Sequence, residues 1–317
     1  FRSYTLFKKN WVKFIIMVFL FTAVTSPFVV LFGPFNNVKR AVIGAILQSR
    51  HPQYITWLFS NDELQSILGT VGVVKSQDLF KFNAREDKDL KLEKIESSRY
   101  VGYVLEIPDP RRIQVATAAN IQEKGDTTSN IAKMNGAVAA INGGGFHDPN
   151  GTGTGRLPYG FILHEGDYII GKDVGPDESV DFVGFSKSGN LIAGNYDKTE
   201  LADMKAMEGI TFGPPLIVDG KKMITDGDGG WGVGPRTAIG QRKDGTVLFV
   251  VIDGRQPGYS LGATLRDVQD VLYEKGAYIA ANLDGGSSST LYLNGKVVNK
   301  PADLLGERMI PTAFIVK

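Results

Sequence analysis

The sequence predicts an α+β fold: a sheet-rich mixed domain with a few helices, preceded by an N-terminal transmembrane helix and a helical stalk. Three observations carry this. Residues 15–32 form an uncharged, largely apolar run of 18, the length that spans a bilayer as a helix. From residue 99 onward, short apolar runs alternate with pairs such as Glu165-Gly166, Ser188-Gly189, Asp219-Gly220 and Asp244-Gly245, the signature of serial hairpins. Between them lies one well-marked helix, with Thr264 as cap, Leu265, Val268, Val271 and Leu272 as apolar stripe, and Gly276 as stop.

Composition narrows the function classes. A formal net charge of +1 over 317 residues leaves no basic excess to neutralise phosphates, so nucleic acid is not expected as a partner. The absence of cysteine removes disulfides, thiolate metal sites and a cysteine nucleophile. The 38 glycines exceed the usual share of about 7%, as a hairpin-rich domain requires.

Taken in order, the chain divides into residues 1–35 (cytoplasmic tail and anchor), 36–98 (amphipathic stalk and charged linker) and 99–317 (globular domain). Arg2, Lys8, Lys9 and Lys13 precede the apolar run, which predicts a single-pass protein of the cell membrane with its C-terminal domain outside the cytoplasm. A cleavable signal peptide competes; the length of the run favours an uncleaved anchor. In residues 36–69, Val38, Val42, Ile46 and Leu47 recur at helical spacing, followed by Trp57, Leu58 and Phe59. A spacer stalk, a helix pair for a membrane protein partner and a segment lying on the bilayer all fit this pattern. Residues 76–98 are dense in charge and are expected to form a solvated linker.

Within the domain, strands are expected over 100–107 and 113–119. A helix capped at Thr127 or Thr128 then ends at Asn135-Gly136, and a small-residue strand runs 137–141. The four hairpins follow. After the Thr264 helix come a buried strand over 279–283, two strands meeting at Asn294-Gly295, and a closing strand over 310–316.

Four polar stretches sit at strand ends beside glycine: Asn142-Gly143-Gly144-Gly145-Phe146, Gly234-Pro235-Arg236-Thr237-Ala238, Asp253-Gly254-Arg255 and Asp284-Gly285-Gly286-Ser287-Ser288-Ser289-Thr290. Mixed sheets place ligands at such ends. Arginine forks and exposed N–H groups suit a phosphate; a pair of carboxylates suits glycosidic chemistry. Each stretch taken alone is also an ordinary turn.

Together with Gly262-Ala263-Thr264-Leu265, and in this order, these motifs resemble the phosphodiester glycosidase domain family over residues 99–317. Two positions depart from the family pattern: Gly145-Phe146-His147, where members are richer in phenylalanine, and Asp267, where members often carry glutamate. The resemblance implies hydrolysis of a sugar 1-phosphodiester in a surface glycan or glycopolymer. On that basis Asp284 and Asp253 are candidates for nucleophile or general base, and Asn142 for orienting a sugar hydroxyl or the attacking water. Arg236 and Arg255 are assigned to phosphate. Thr237, Gly144, Gly285, Gly286, Ser287 and Ser288 line the expected substrate site, with His147 beside them. A non-catalytic glycan-binding subunit of a membrane assembly is the competing expectation. No protein ligand set for a metal is assigned. Asp148, Asn150 and Thr152, like Asp226 and Asp228, have the oxygen spacing of calcium loops, yet neither segment completes the EF-hand pattern. Asn150-Gly151-Thr152 also fits a glycosylation acceptor.

Overall fold

Strands such as 139–142, 247–252 and 312–316 are buried at every position, so both faces of their sheets must be covered, and one shared core with three outer clusters does this. The computed structural model describes residues 2–47, 53–60, 63–64, 67, 75–76, 79–83, 86–147, 153–171, 174–303 and 305–317. Asp148, Asn150, Thr152, His51 and Arg85 lie outside the described residues.

Three helices come first: α1 (Arg2–Phe32), α2 (Asn36–Leu47) and α3 (Gln53–Thr56). Strands β1 (Lys91–Glu96), β2 (Val101–Ile107) and β3 (Ile113–Thr117) follow, then α4 (Thr128–Met134) and β4 (Ala139–Asn142). Two hairpins, β5 (Ile162–His164) with β6 (Asp167–Ile170) and β7 (Val180–Ser186) with β8 (Leu191–Tyr196), lead to α5 (Lys198–Asp203). Next are β9 (Ala206–Thr211), β10 (Pro215–Val218), β11 (Lys221–Lys222), β12 (Arg236–Arg242) and β13 (Val247–Ile252). Helix α6 (Leu265–Glu274), β14 (Ala277–Leu283), β15 (Leu291–Leu293), β16 (Lys296–Val297) and β17 (Thr312–Val316) complete the chain.

The strands form a seven-stranded sheet in the order β1-β2-β13-β12-β14-β10-β11 and two five-stranded sheets, β16-β15-β4-β17-β3 and β6-β5-β9-β7-β8. All three contribute to one buried core, in which Phe249 and Ile239 meet Phe314, Phe185 and Ile210. Truncating Phe249 to alanine there costs about 3–5 kcal/mol. The opposite face of the large sheet, with Ala238, Val250 and Ala280, is covered by Leu265, Val268 and Leu272 of α6. Ile131 and Ala132 of α4 cover the second sheet, and Leu201 of α5 the third.

Local chemistry accounts for the turns and caps. Glu165-Gly166, Asp219-Gly220 and Asn294-Gly295 all have positive φ at both residues, as a two-residue hairpin turn of matching twist demands. Thr264 and Asp267 form a reciprocal capping box, and Asp267 also pairs with Arg99 at 2.7 Å. The aspartate that departs from the family pattern therefore serves a helix end.

One expectation is corrected. The charged stretch read as a linker supplies β1, which pairs antiparallel with β2 from Lys91↔Glu106 to Glu96↔Val101. Its exposed charges guard a sheet edge against further pairing. Upstream residues also pack on the domain: the Tyr196 hydroxyl donates to the Ser76 carbonyl at 2.8 Å, and Phe80 meets Tyr278 edge-on at 5.5 Å. Their partners lie more than a hundred residues away, so charge density alone could not reveal them.

Candidate active site

The ends of β4, β12 and β14 are tied at one point by a fully buried amide. Asn142 Nδ2 donates to the Asp284 carbonyl at 2.6 Å. Asn142 Oδ1 accepts from Thr237 Oγ1 at 2.7 Å and from the Thr290 amide at 3.2 Å. The Asp284 amide donates to the Gly143 carbonyl at 3.0 Å, and Thr312 accepts the Gly143 amide through its carbonyl and the Gly144 amide through its hydroxyl. Asn142, expected to orient a sugar hydroxyl or the attacking water, and Thr237, expected in the substrate site, bond to one another, and Asn142 fixes the backbone that presents Asp284.

Asp284 sits where β14 gives way to a 3-10 turn over Gly286–Ser288. The residue keeps part of its surface accessible, yet burial pushes its carboxyl up to about 6. The Ser288 hydroxyl, the Arg308 and Arg255 charges and the Gly285 amide pull the other way, towards the ionised form. A carboxyl so balanced changes protonation close to neutrality.

Three guanidinium groups surround this turn. Arg255 is held at φ 59 and lies over Gly286, where an added Cβ would come 3.3 and 3.4 Å from its terminal nitrogens. Gly286, at φ 63, therefore leaves room for the arginine as well as the turn. Arg236 is buried. Its Nε donates to the Ala263 carbonyl at 3.0 Å, and its Nη2 donates to the carbonyls of Trp231 (2.7 Å) and Gly232 (2.6 Å). Nη1 remains on the Gly285 side, 3.6 Å from where a Cβ would stand. Burial and then the neighbouring Arg255 charge lower this guanidinium to about 10. The expected two-nitrogen fork of Arg236 is thus largely committed to a loop.

The third cation, Arg308, was missed by sequence reasoning. Its Nη1 donates to Ser287 Oγ at 3.0 Å, and its guanidinium carbon lies 5.0 Å from the Phe146 ring centre. The preceding Glu307 anchors the segment by accepting the Ser129 amide at 2.9 Å and the Ser129 hydroxyl. An arginine four residues before the closing strand was the signal available.

An aromatic group lies on the glycine side. Phe212 and Tyr159 pack so closely on Gly145 that an added Cβ would meet them at 2.6 and 2.8 Å. Phe212 meets Trp231 edge-on at 6.1 Å, and the exposed His147 meets Tyr159 edge-on at 4.4 Å. His147 is therefore at the margin, beside aromatics that the glycine motif did not announce.

Asp253 differs from expectation. It is buried, and its carboxylate accepts from Asn299 Nδ2 (2.9 Å), the Lys300 amide (3.0 Å) and the Tyr259 hydroxyl (3.0 Å). Burial raises its pKa while these donors oppose the rise. Such a carboxylate braces the loop after β13. Asp228, read among calcium-like spacings, accepts the Gly230 amide at 2.9 Å as an ordinary turn residue does. Among the described residues no three acidic or histidine side chains converge as a metal site.

The site is a near-neutral carboxyl ringed by arginines, hydroxyls and amides, with aromatics beside it. Known proteins resemble the chain that carries it. The chain is 32% identical over 197 residues to the SPbeta prophage-derived uncharacterized protein YomE of Bacillus subtilis, covering 60% of this chain and 29% of that protein. It is 25% identical over 203 residues to N-acetylglucosamine-1-phosphodiester alpha-N-acetylglucosaminidase of Bos taurus, covering 58% and 36%. The chain thus spans about a third of the length of these relatives. The solved catalytic domain of the zebrafish enzyme of that name, auto-inhibited by its pro-peptide, shares the fold at TM-score 0.62 and 21% identity, covering 77% of this chain and 88% of that one. Residues 135–317, which contain Asn142, Arg236, Arg255, Asp284 and Arg308, match the phosphodiester glycosidase family model, and the chain belongs to that family.

Proposed function

We propose that this protein is a membrane-anchored hydrolase that cleaves a sugar 1-phosphodiester in a surface glycan or glycopolymer. The observation that carries the reading is Asp284, a carboxyl balanced near neutrality with Arg255, Arg308 and Arg236 around it. The bovine relative's name specifies an N-acetylglucosamine 1-phosphodiester, which supports the reaction class. In this reading the anomeric C–O bond breaks and its electron pair stays on the phosphate oxygen. The departing phosphomonoester is a stable anion, so strong general-acid assistance matters less than charge stabilisation, which the arginines supply. Ionised Asp284 either attacks the anomeric carbon or takes a proton from the attacking water. Asn142 and Thr237 hold its backbone; the Phe212 and Tyr159 side flanks the sugar. For localisation, the support is the 22-residue apolar helix segment Trp11–Phe32, with Lys8 and Lys9 before it and Lys13 in its first turn.

The test is incubation of the full chain in detergent micelles with a panel of sugar 1-phosphodiesters, following free sugar and phosphomonoester together. Equal release of both is expected. Saturable binding of these compounds with no release from any of them would favour the glycan-binding module instead.

A further inference from the structure

Helices α2 and α3 lie before the family match, yet they are packed against the end of α1 on one side and against the domain on the other. The helix before them is predominantly apolar over Trp11–Phe32, with Lys13 near its start as the one charge, a mean hydropathy of 2.5, and none of that window buried against protein. At 1.5 Å per residue it is about 33 Å long, close to the ~30 Å hydrocarbon core of a bilayer. Its last turn does not end in open space. The Phe32 ring stacks on Phe59 at 5.6 Å, and Leu31 packs with Ile43, Ile55, Phe59 and Leu64. The chain turns at Gly33-Pro34, and α2 begins two residues later. The α2–α3 module therefore stands at the level where the span ends.

The module keeps large apolar side chains uncovered. Trp57 is 85% exposed and Tyr54 65%, with Phe35, Val38 and Leu58 also exposed. Tryptophan and tyrosine are the side chains enriched at the boundary between lipid and water, where an apolar ring and a polar edge are both satisfied. Lys39 lies with its ammonium 5.7 Å from the Phe59 ring centre, an arrangement that lets a cation stay at headgroup level while its stem covers apolar surface.

On its other side the module is locked to the domain. Gly44 approaches Gly230 so closely that an added Cβ would stand 2.2 Å from the Gly230 carbonyl oxygen. Arg40 fills the space at Gly227 in the same way, 2.3 Å from a Cβ there. The same loop offers Arg236 the carbonyls of Trp231 and Gly232.

We infer that the α2–α3 module is a membrane-interface seat: its Tyr54–Trp57 face lies in the lipid headgroup boundary, and α2 holds the Trp231 loop of the site at that surface. The inference rests on α1 being the membrane span of the proposed function. A second copy of the chain or a protein partner would cover the same side chains without lipid contact, and these are the readings to separate.

Trp11→Phe with Trp231→Phe leaves Trp57 as the sole tryptophan, since the sequence has three. The variant, with α1 retained, is reconstituted into phosphatidylcholine vesicles, floated on a density gradient, and its emission quenched by phosphatidylcholines brominated at shallow or deep acyl positions, and by aqueous iodide. The expected result is flotation, loss of most Trp57 emission with the shallow bromolipid, less with the deep one, and weak quenching by iodide. Flotation with strong iodide quenching and no bromolipid effect would overturn the seat while leaving the anchor intact. Flotation with protection from both quenchers, and a dimer or partner trapped by cross-linking, would overturn it in favour of a protein contact. Failure to float would remove the anchor and the seat together, yet leave hydrolysis by the domain to its own assay.

Discussion

Two strand ends in this molecule look alike in sequence and differ in chemistry. Asp253-Gly254-Arg255 follows β13 and Asp284-Gly285-Gly286 follows β14, and both strands hydrogen-bond to β12 between them. At the first, the carboxylate is consumed by three donors from Asn299, Lys300 and Tyr259, and the arginine two residues on is the group that reaches the site. At the second, the carboxyl meets a serine hydroxyl and an amide, with arginine charges nearby. An Asp-Gly pair at a strand end thus specifies where a carboxylate will be. The donors around it specify whether it braces a loop or stays available for reaction.

The sharpest way to break this contrast is Asp284→Asn. The amide has nearly the same shape but is neither nucleophile nor base, so kcat/KM on a sugar 1-phosphodiester should fall by at least about a thousandfold, or ~4 kcal/mol. Stability should move in the opposite direction. The folded-state pKa of about 6 lies above the ordinary 3.8, so the folded state favours the protonated form. That contribution is complete below pH ~4 and is lost as pH rises through 6, leaving a cost of about 3 kcal/mol at neutral pH. The variant should therefore resist urea better than wild type at pH 7.5, with the gap closing by pH 4. Retained turnover in a folded Asp284→Asn protein would remove Asp284 from the chemistry.

Asp253→Asn probes the other strand end. An amide there turns an N–H₂ group towards one of the present donors and loses the charge-assisted bonds to the rest. Stability should drop by about 1–3 kcal/mol. Activity per folded molecule, measured well below the new melting temperature, should stay within a few-fold of wild type. Abolished turnover with an unchanged melt would reverse the roles assigned to the two aspartates.

The contrast also marks what the sequence could disclose. Hairpin turns and caps were legible because their chemistry is local: Asp219-Gly220 and Asn294-Gly295 supply positive φ, and Thr264 meets Asp267 three residues on. The clustering of Arg255, Arg236, Ser287, Ser288 and Asp284 followed from strand-end motifs. The bracing of Asp253 was hidden because Asn299 lies 46 positions away. Asn142 was read as a substrate contact for a similar reason: an asparagine at a strand end announces a polar task, while its partners Thr237 and Thr290 belong to other elements. The charged stretch 91–96 looked like a linker because an edge strand with an exposed polar face has no apolar periodicity. Arg308 stood outside every glycine motif and was passed over.

That omission supplies the finest test of the site, since Arg308 touches Ser287 and acts on Asp284 through charge. Its positive charge favours the ionised carboxyl, so Arg308→Gln should raise the Asp284 pKa further. If Asp284 reacts ionised, the acid limb of the kcat/KM profile then moves to higher pH. The loss should be about tenfold near pH 6, roughly 1.4 kcal/mol, and should shrink as the pH is raised. Arg308→Lys keeps the charge but loses the planar group over Phe146 and the directed bond to Ser287. In that variant the limb should stay near its wild-type position while kcat/KM falls a few-fold at every pH. The two substitutions thus separate charge from geometry at one position. A limb that does not move in Arg308→Gln, with activity reduced equally across the pH range, would show that Arg308 only packs the turn, and the cations acting on Asp284 would reduce to Arg255 and Arg236.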